Sequence, residues 1–169
     1  RTGDWFGFQH AGIQPDIVTI AKGVANGMPV GAMWARDEVA AAFGPGDHGS
    51  TYAGQPLALS AARATLAELE AIDAPRVARQ RESVIRELLL NVKGIDHVRG
   101  RGLLLGIEIK SEALNGRTAG EIARVCLDRG LILNGVTATA LRVAPPFIVT
   151  NDQLVEGAGI IADVIAEGA

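Results

Sequence analysis

Apolar residues along the chain follow two periodicities, and the changes between them predict strands and helices in turn. Asp16-Ile17-Val18-Thr19-Ile20-Ala21 is short, apolar and β-branched, with Pro15 before it and Gly23 after it, which suits a buried strand with Lys22 at its end. Gly27, Pro29 and Gly31 punctuate a turn, and Val30 to Trp34 predicts a second strand returning beside the first. Asp37 is placed to cap a short helix through Phe43. From Pro56 an alanine- and leucine-rich helix is expected, mostly buried, with Leu57, Ala61, Ala62, Leu66 and Leu69 on one face. After Pro75 a further helix sets Val77, Val84, Ile85, Leu88, Leu89 and Val92 against a face rich in arginine and glutamate, a natural bridge between two bodies.

Beyond Gly94 alternation takes over: Leu103, Leu105, Ile107 and Ile109 share one face of a strand that starts near Val98. Thr118 to Arg129 predicts a helix closed by Gly130, Leu131 to Leu133 and Leu141 to Ala144 predict strands, and Asn151 caps a final helix through Ile165. The pattern is that of an α/β chain with a small sheet, divided into residues 1–74 and 75–169.

Composition narrows the function classes. Of 169 residues 48% are hydrophobic, enough for a sizeable core, and the formal net charge of -3 supplies no basic surface to draw nucleic acid or anionic lipid. Cys126 is the only cysteine, so intrachain disulfides and multi-thiolate metal sites are excluded and a reducing, cytoplasmic setting is expected. No stretch approaches the roughly 20 apolar residues of a membrane span. Arg1-Thr2-Gly3-Asp4-Trp5 carries no signal pattern and begins, without a methionine, as if in the middle of a loop.

Three places can carry chemistry. Lys22 by position alone reads as a strand-end charge reaching solvent, but against apolar walls an ammonium is disfavoured, and the neutral amine is the nucleophile a Schiff base requires. Gly23 and Gly27 allow backbone to approach a flat ligand. In Gly49-Ser50-Thr51-Tyr52-Ala53-Gly54 two adjacent hydroxyls precede a helix, an arrangement that holds a phosphate or simply caps the helix. Arg142 interrupts the apolar run Leu141-Arg142-Val143-Ala144-Pro145-Pro146, so its fork either grips a carboxylate, forms a structural ion pair, or lies on an exposed strand face. His10, His48 and His97 lack ligand spacing and read as structural or surface residues.

Taken together, these stretches resemble class III aminotransferases, fold type I pyridoxal-phosphate-dependent enzymes, and among them the acetylornithine and related ω-amino aminotransferases. The resemblance rests on Arg1-Thr2-Gly3 with Trp5-Phe6, on Pro15 to Gly23, and on Gly49-Ser50-Thr51 with Gly54 and Pro56-Leu57-Ala58. Arg99-Gly100-Arg101-Gly102-Leu103-Leu104-Leu105-Gly106 and Leu141-Arg142 with Pro145-Pro146 complete it. It implies an α/β fold in which residues 1–74 are the C-terminal remnant of the large cofactor domain and residues 75–169 a linking helix and small C-terminal domain. It also implies that Lys22 forms the internal aldimine with pyridoxal 5'-phosphate and acts as general base. Ser50 and Thr51 then bind the cofactor phosphate across a homodimer interface, and Arg142 grips the substrate α-carboxylate. The implied substrates are an amino donor such as N-acetylornithine and a keto acid such as 2-oxoglutarate, as in arginine biosynthesis, with no nucleic acid or membrane partner. Ornithine aminotransferase, 4-aminobutyrate aminotransferase, an aminomutase and a noncatalytic fragment are the alternatives. Two departures loosen the substrate assignment: the turn Gly23-Val24-Ala25-Asn26-Gly27-Met28-Pro29, closer to other ω-aminotransferases, and Gln55, where asparagine is commoner. The family's acidic partner for the pyridine nitrogen lies upstream of Arg1, so the chain by itself is expected to be inactive.

Overall fold

The computed structural model describes residues 1–167. They form two compact units: Phe6–Asp73, and Arg1–Trp5 together with the residues from Ala74 on. Residues 1–74 were expected to act together, yet Arg1–Trp5 belongs with the second unit. The Arg1 guanidinium donates to the carbonyls of Leu103 (3.2 Å) and Pro145 (2.8 Å) and lies over the Phe147 ring, and its own carbonyl accepts from Leu103 N at 2.8 Å. Gly102 makes room for this docking. It has φ +56°, and a Cβ there would meet Arg1 O at 2.3 Å.

In the unit Phe6–Asp73, strand β1 (Ile17–Ile20) pairs antiparallel with β2 (Ala32–Ala35), from Ile17 opposite Ala35 to Ile20 opposite Ala32. A 3-10 turn, Lys22–Ala25, follows β1. Helix α1 is only Asp37–Ala40, shorter than predicted, and its cap position is Arg36, so Asp37 is its first residue. Helix α2 spans Pro56–Ala71, with proline in its first turn, where the missing N–H costs no bond.

Two expectations fail in this unit. The strand was expected to be buried, but two strands alone cannot cover their own faces, and Ile17, Met33 and Trp34 are exposed. Helix α2 was expected to be mostly buried through its leucines. Instead it buries Ala58 and Ala62 and packs on the Lys22–Ala25 turn, where Ala25 is buried, while Leu57 and Leu66 are exposed. Small side chains let helix and turn approach closely, and that contact selects the alanine stripe.

In the second unit, α3 (Ala74–Leu90), α4 (Ser111–Leu114), α5 (Ala119–Asp128) and α6 (Asn151–Ala166) accompany a four-stranded antiparallel sheet. Its strands are β3 (Ile95–Arg101), β4 (Leu104–Ile109), β5 (Asn134–Gly135) and β6 (Ala140–Val143), in the order β3-β4-β6-β5. The single strand expected from Val98 to Ile109 is a hairpin, reversed at Gly102 and Leu103, where the positive φ of Gly102 suits the first position of a tight turn. The charged face of α3 grips this hairpin. Arg86 donates to the carbonyls of Val98 (2.5 Å) and Gly100 (2.7 Å), and Glu82 accepts from Gly102 N.

Leu105, Ile107, Ile109 and Leu141 form a continuous core with Ile85 and Leu89 of α3, Ile122 and Cys126 of α5, and Ile161 and Val164 of α6. Leu131–Leu133, expected as a strand, precedes the paired residues, which are Asn134 and Gly135. The final helix is capped by Thr150 rather than Asn151, with Gln153 closing a capping box.

Thr118, expected as the first residue of a helix, is the cap of α5: Glu121 N donates to its hydroxyl, and the Glu121 carboxylate accepts from Thr118 N at 2.7 Å. These bonds from Thr118 hold the Glu121 carboxyl below its ordinary range. Thr118→Ala should therefore cost about 1 kcal/mol in urea unfolding near pH 7. A carboxyl whose folded pKa is depressed contributes stability above its unfolded pKa and loses it as pH falls through the folded one. The gap between wild type and Thr118→Ala should accordingly hold above the usual carboxylate range and narrow as pH falls through and below it, and a gap that does not narrow there would refute the assignment.

Candidate functional site

Lys22 is the first residue of the 3-10 turn after β1, in a left-handed backbone conformation with φ +58°. Asn26 (φ +47°) and Gly27 (φ +113°) lie in the same region of φ, so the chain after β1 folds back tightly. Asparagine and glycine adopt this conformation readily, whereas a lysine there is strained by about 1–2 kcal/mol. Such strain on a non-glycine residue persists where the surrounding structure enforces it and clusters at functional sites. The apolar wall expected around Lys22 is not supplied by the described residues. Ala21, Lys22 and Gly23 are all exposed, because the two-stranded ribbon leaves its end open.

Ser50 and Thr51 open a turn, Thr51–Gly54, in which Ala53 N donates to Ser50 O at 3.2 Å. Neither caps α2, whose cap position is Gln55 with no side-chain bond to the first turn. The helix-cap alternative is thus removed, and the two hydroxyls stand on an exposed loop. The space that a side chain would take at Gly49 and Gly54 is open.

Arg142 is on β6, in register with Gly106 of β4 on one side and Asn134 of β5 on the other. Burial of Leu141 turns Arg142 to the opposite, exposed face. Its Nη2 donates to Asn134 Oδ1 at 2.9 Å, and this neutral amide is its side-chain partner among the described residues, which removes the ion-pair alternative. Asn134 was not singled out in the sequence. The signal was present: Asn134 and Arg142 flank a turn-rich stretch of hairpin length, which sets them face to face. Lys22, Ser50 and Thr51 belong to one unit and Arg142 to the other.

His97 is exposed and bonded to Asp96 at 2.7 Å, and His48 meets Phe43 edge-on, as surface residues do. Cys126 is fully buried, and burial pushes its thiol up from the ordinary value. Among the described residues no three His, Cys, Asp or Glu side chains are grouped to hold a metal ion, and no helix is long and apolar enough to cross a membrane.

A strained lysine after a β-strand, a glycine-flanked hydroxyl loop ahead of a long helix, and a small antiparallel sheet presenting an arginine define part of a fold type I transferase. The chain belongs to the aminotransferase class-III family, whose model matches residues 1–165. It is 41% identical over 167 residues to the acetylornithine aminotransferase of Corynebacterium efficiens, covering 99% of this chain and 40% of that one. With the acetylornithine aminotransferase of Bifidobacterium longum it is 42% identical, covering 97% and 38%. The solved acetylornithine aminotransferase of Elizabethkingia anophelis superposes with a TM-score of 0.84 at 31% identity, covering 99% of this chain and 43% of that one. The ornithine aminotransferase of Plasmodium yoelii superposes at 0.83 with 30% identity, covering 100% and 45%. The chain thus spans about two fifths of the length of the curated relatives it matches.

If function and not folding keeps a lysine in the left-handed region, glycine should be tolerated there. Lys22→Gly removes the strain and forfeits about 0.5–1 kcal/mol of chain entropy, so urea unfolding should show a change between zero and about 1.5 kcal/mol of stabilisation. A loss of more than about 1 kcal/mol would mean that the lysine side chain itself holds the turn.

Proposed function

We propose that the protein carrying these residues is an aminotransferase that moves the amino group of an ω-amino substrate such as N-acetylornithine to 2-oxoglutarate. The observation that carries this reading is the strained backbone of Lys22, which falls on the residue that the resemblance makes reactive. The donor set suits pyridoxal 5'-phosphate: a primary amine for its carbonyl carbon, and two adjacent hydroxyls on an exposed loop for its phosphate. When bound, the cofactor supplies an electron-withdrawing ring that acidifies the carbon bearing the substrate amine.

In this reading the residues of the chain divide the work. Lys22 Nζ holds the cofactor and afterwards takes the proton from the substrate carbon. The Thr51 hydroxyl, helped by Ser50, donates to phosphate oxygens, in a homodimer whose two chains share that site. Arg142 offers its fork to a substrate carboxylate, which discriminates against amines that lack one. The names of the relatives support N-acetylornithine as donor; a place in arginine biosynthesis follows from the resemblance alone, and the single cysteine accords with the cytoplasm. Likeness to the Plasmodium yoelii enzyme favours ornithine as the second reading.

Borohydride reduction in the presence of pyridoxal 5'-phosphate should leave one pyridoxyl label, and peptide mapping should place it on Lys22. A label on another lysine, or none in the complete protein, would refute the assignment. Turnover of N-acetylornithine, ornithine and 4-aminobutyrate with 2-oxoglutarate then fixes the donor, and the reading predicts the highest kcat/KM for N-acetylornithine.

A further inference from the structure

Arg142 lies on one rung of the sheet, Arg99–Gly106–Arg142–Asn134, and its neighbours treat the two arginines differently. Arg99 leans over Gly106, its Cγ and Cζ each 3.4 Å from where a Cβ would stand. Its Nε and Nη2 fork onto Glu108 Oε1 at 3.3 and 3.1 Å, and Glu108 Oε2 accepts from Thr139 Oγ1 at 2.9 Å. The charge of Arg99 is therefore compensated by a carboxylate that is itself held. Arg142 is bonded by a neutral amide instead, so its orientation is set while, among the described residues, no carboxylate pairs with its charge. A guanidinium has five N–H donors, and one bond to Asn134 leaves enough for a bidentate carboxylate.

Asn134 is itself fixed by backbone contact. A Cβ on the next residue, Gly135, would lie 2.5 Å from Gly120 N and 2.6 Å from Gly120 Cα, so β5 is seated directly on the first turn of α5. Ala119 N donates to Ala138 O at 2.7 Å and Val136 N to Ala140 O at 2.8 Å, which tie down the loop between β5 and β6. A two-residue strand clamped in this way has little freedom to slide, so the amide stays opposite the guanidinium.

We propose that Asn134 is a positioning residue for Arg142: it aims the guanidinium by a hydrogen bond, and its neutrality keeps the charge available to a substrate carboxylate. The proposal rests on the reading that Arg142 grips that carboxylate. An arginine side chain carries about 2 kcal/mol of rotamer entropy, and holding it beforehand lowers what binding must order. Aspartate at 134 would accept the same hydrogen bond but neutralise the charge, so the two properties of the asparagine are separable.

The test compares Asn134→Ala, Asn134→Asp and Arg142→Lys in the complete, cofactor-loaded protein. Binding of glutarate, a dicarboxylate with no reactive carbonyl, is read by calorimetry, and KM for 2-oxoglutarate and kcat are read by turnover. Asn134→Ala should weaken glutarate binding and raise KM about 5- to 10-fold, the size of one ordinary hydrogen bond. Asn134→Asp should weaken both by a larger factor, of order 30-fold or more, because a carboxylate now competes for the fork. In both variants kcat should fall much less than KM rises. A purely structural asparagine predicts the reverse order, with Asp close to wild type and any loss confined to the melting temperature. Unchanged glutarate binding in both Asn134 variants, beside weakened binding in Arg142→Lys, would overturn the positioning role and leave the carboxylate role of Arg142 standing. Unchanged binding in all three would overturn both.

Discussion

The two-residue alternation of β4 and β6 is the constraint on which the second unit depends. Leu105, Ile107 and Leu141 are almost completely buried against α3, α5 and α6, and a strand that turns these side chains inward turns Gly106 and Arg142 outward. A slip of one residue would bury Arg142 and expose Leu141, with a heavy desolvation cost for an unpaired guanidinium. Register is therefore enforced by the core, and the arginine is carried on a rigid sheet rather than on a loop. The clamp of Glu82 and Arg86 on the hairpin and the seating of Gly135 on Gly120 hold the two flanks of that sheet in the same register.

The unit Phe6–Asp73 places its lysine by a different device. Its ribbon buries little, and what anchors the turn after β1 is the packing of Ala58 and Ala62 of α2 near the buried Ala25. That contact fixes the backbone a few residues from Lys22 while its side chain stays exposed. A left-handed lysine in so open a place gains nothing visible for folding, which is the physical ground for reading it as chemistry. The same openness explains why Ile17, Met33, Trp34, Leu57 and Leu66 are exposed: a chain covering 40% of a relative leaves uncovered the surfaces that the rest of such a fold would pack.

Much of this was legible in the sequence. Alternation and amphipathic spacing marked α3, α5, α6 and β6 to within a residue or two, since each has a buried stripe with the period of its element, while α2 was placed by Pro56 and its alanine- and leucine-rich composition. Lys22 stood out at the end of an apolar strand, Ser50 and Thr51 as adjacent hydroxyls ahead of a helix, and Arg142 as a charge interrupting an apolar run. The misses have physical causes. The hairpin at Gly102 was hidden because Leu103, in the turn, is as buried as the strand residues and continues their alternation. Leu131–Leu133 looked like a strand by composition, but pairing passed to Asn134 and Gly135, where the absence of a side chain at 135 permits the approach to α5. Arg1–Trp5 went with the second unit through hydrogen bonds from Arg1, and such contacts leave no periodic trace.

The account stands on Lys22 as the reactive amine and Arg142 as the carboxylate grip. The most direct measurement is a crystal structure of the complete protein grown with pyridoxal 5'-phosphate and glutarate. The account predicts electron density continuous from Lys22 Nζ into the cofactor, and a glutarate carboxylate forked on an Arg142 guanidinium that still bonds Asn134. Density that ends at the Lys22 ammonium with the cofactor attached elsewhere, or a glutarate bound away from Arg142, would contradict it.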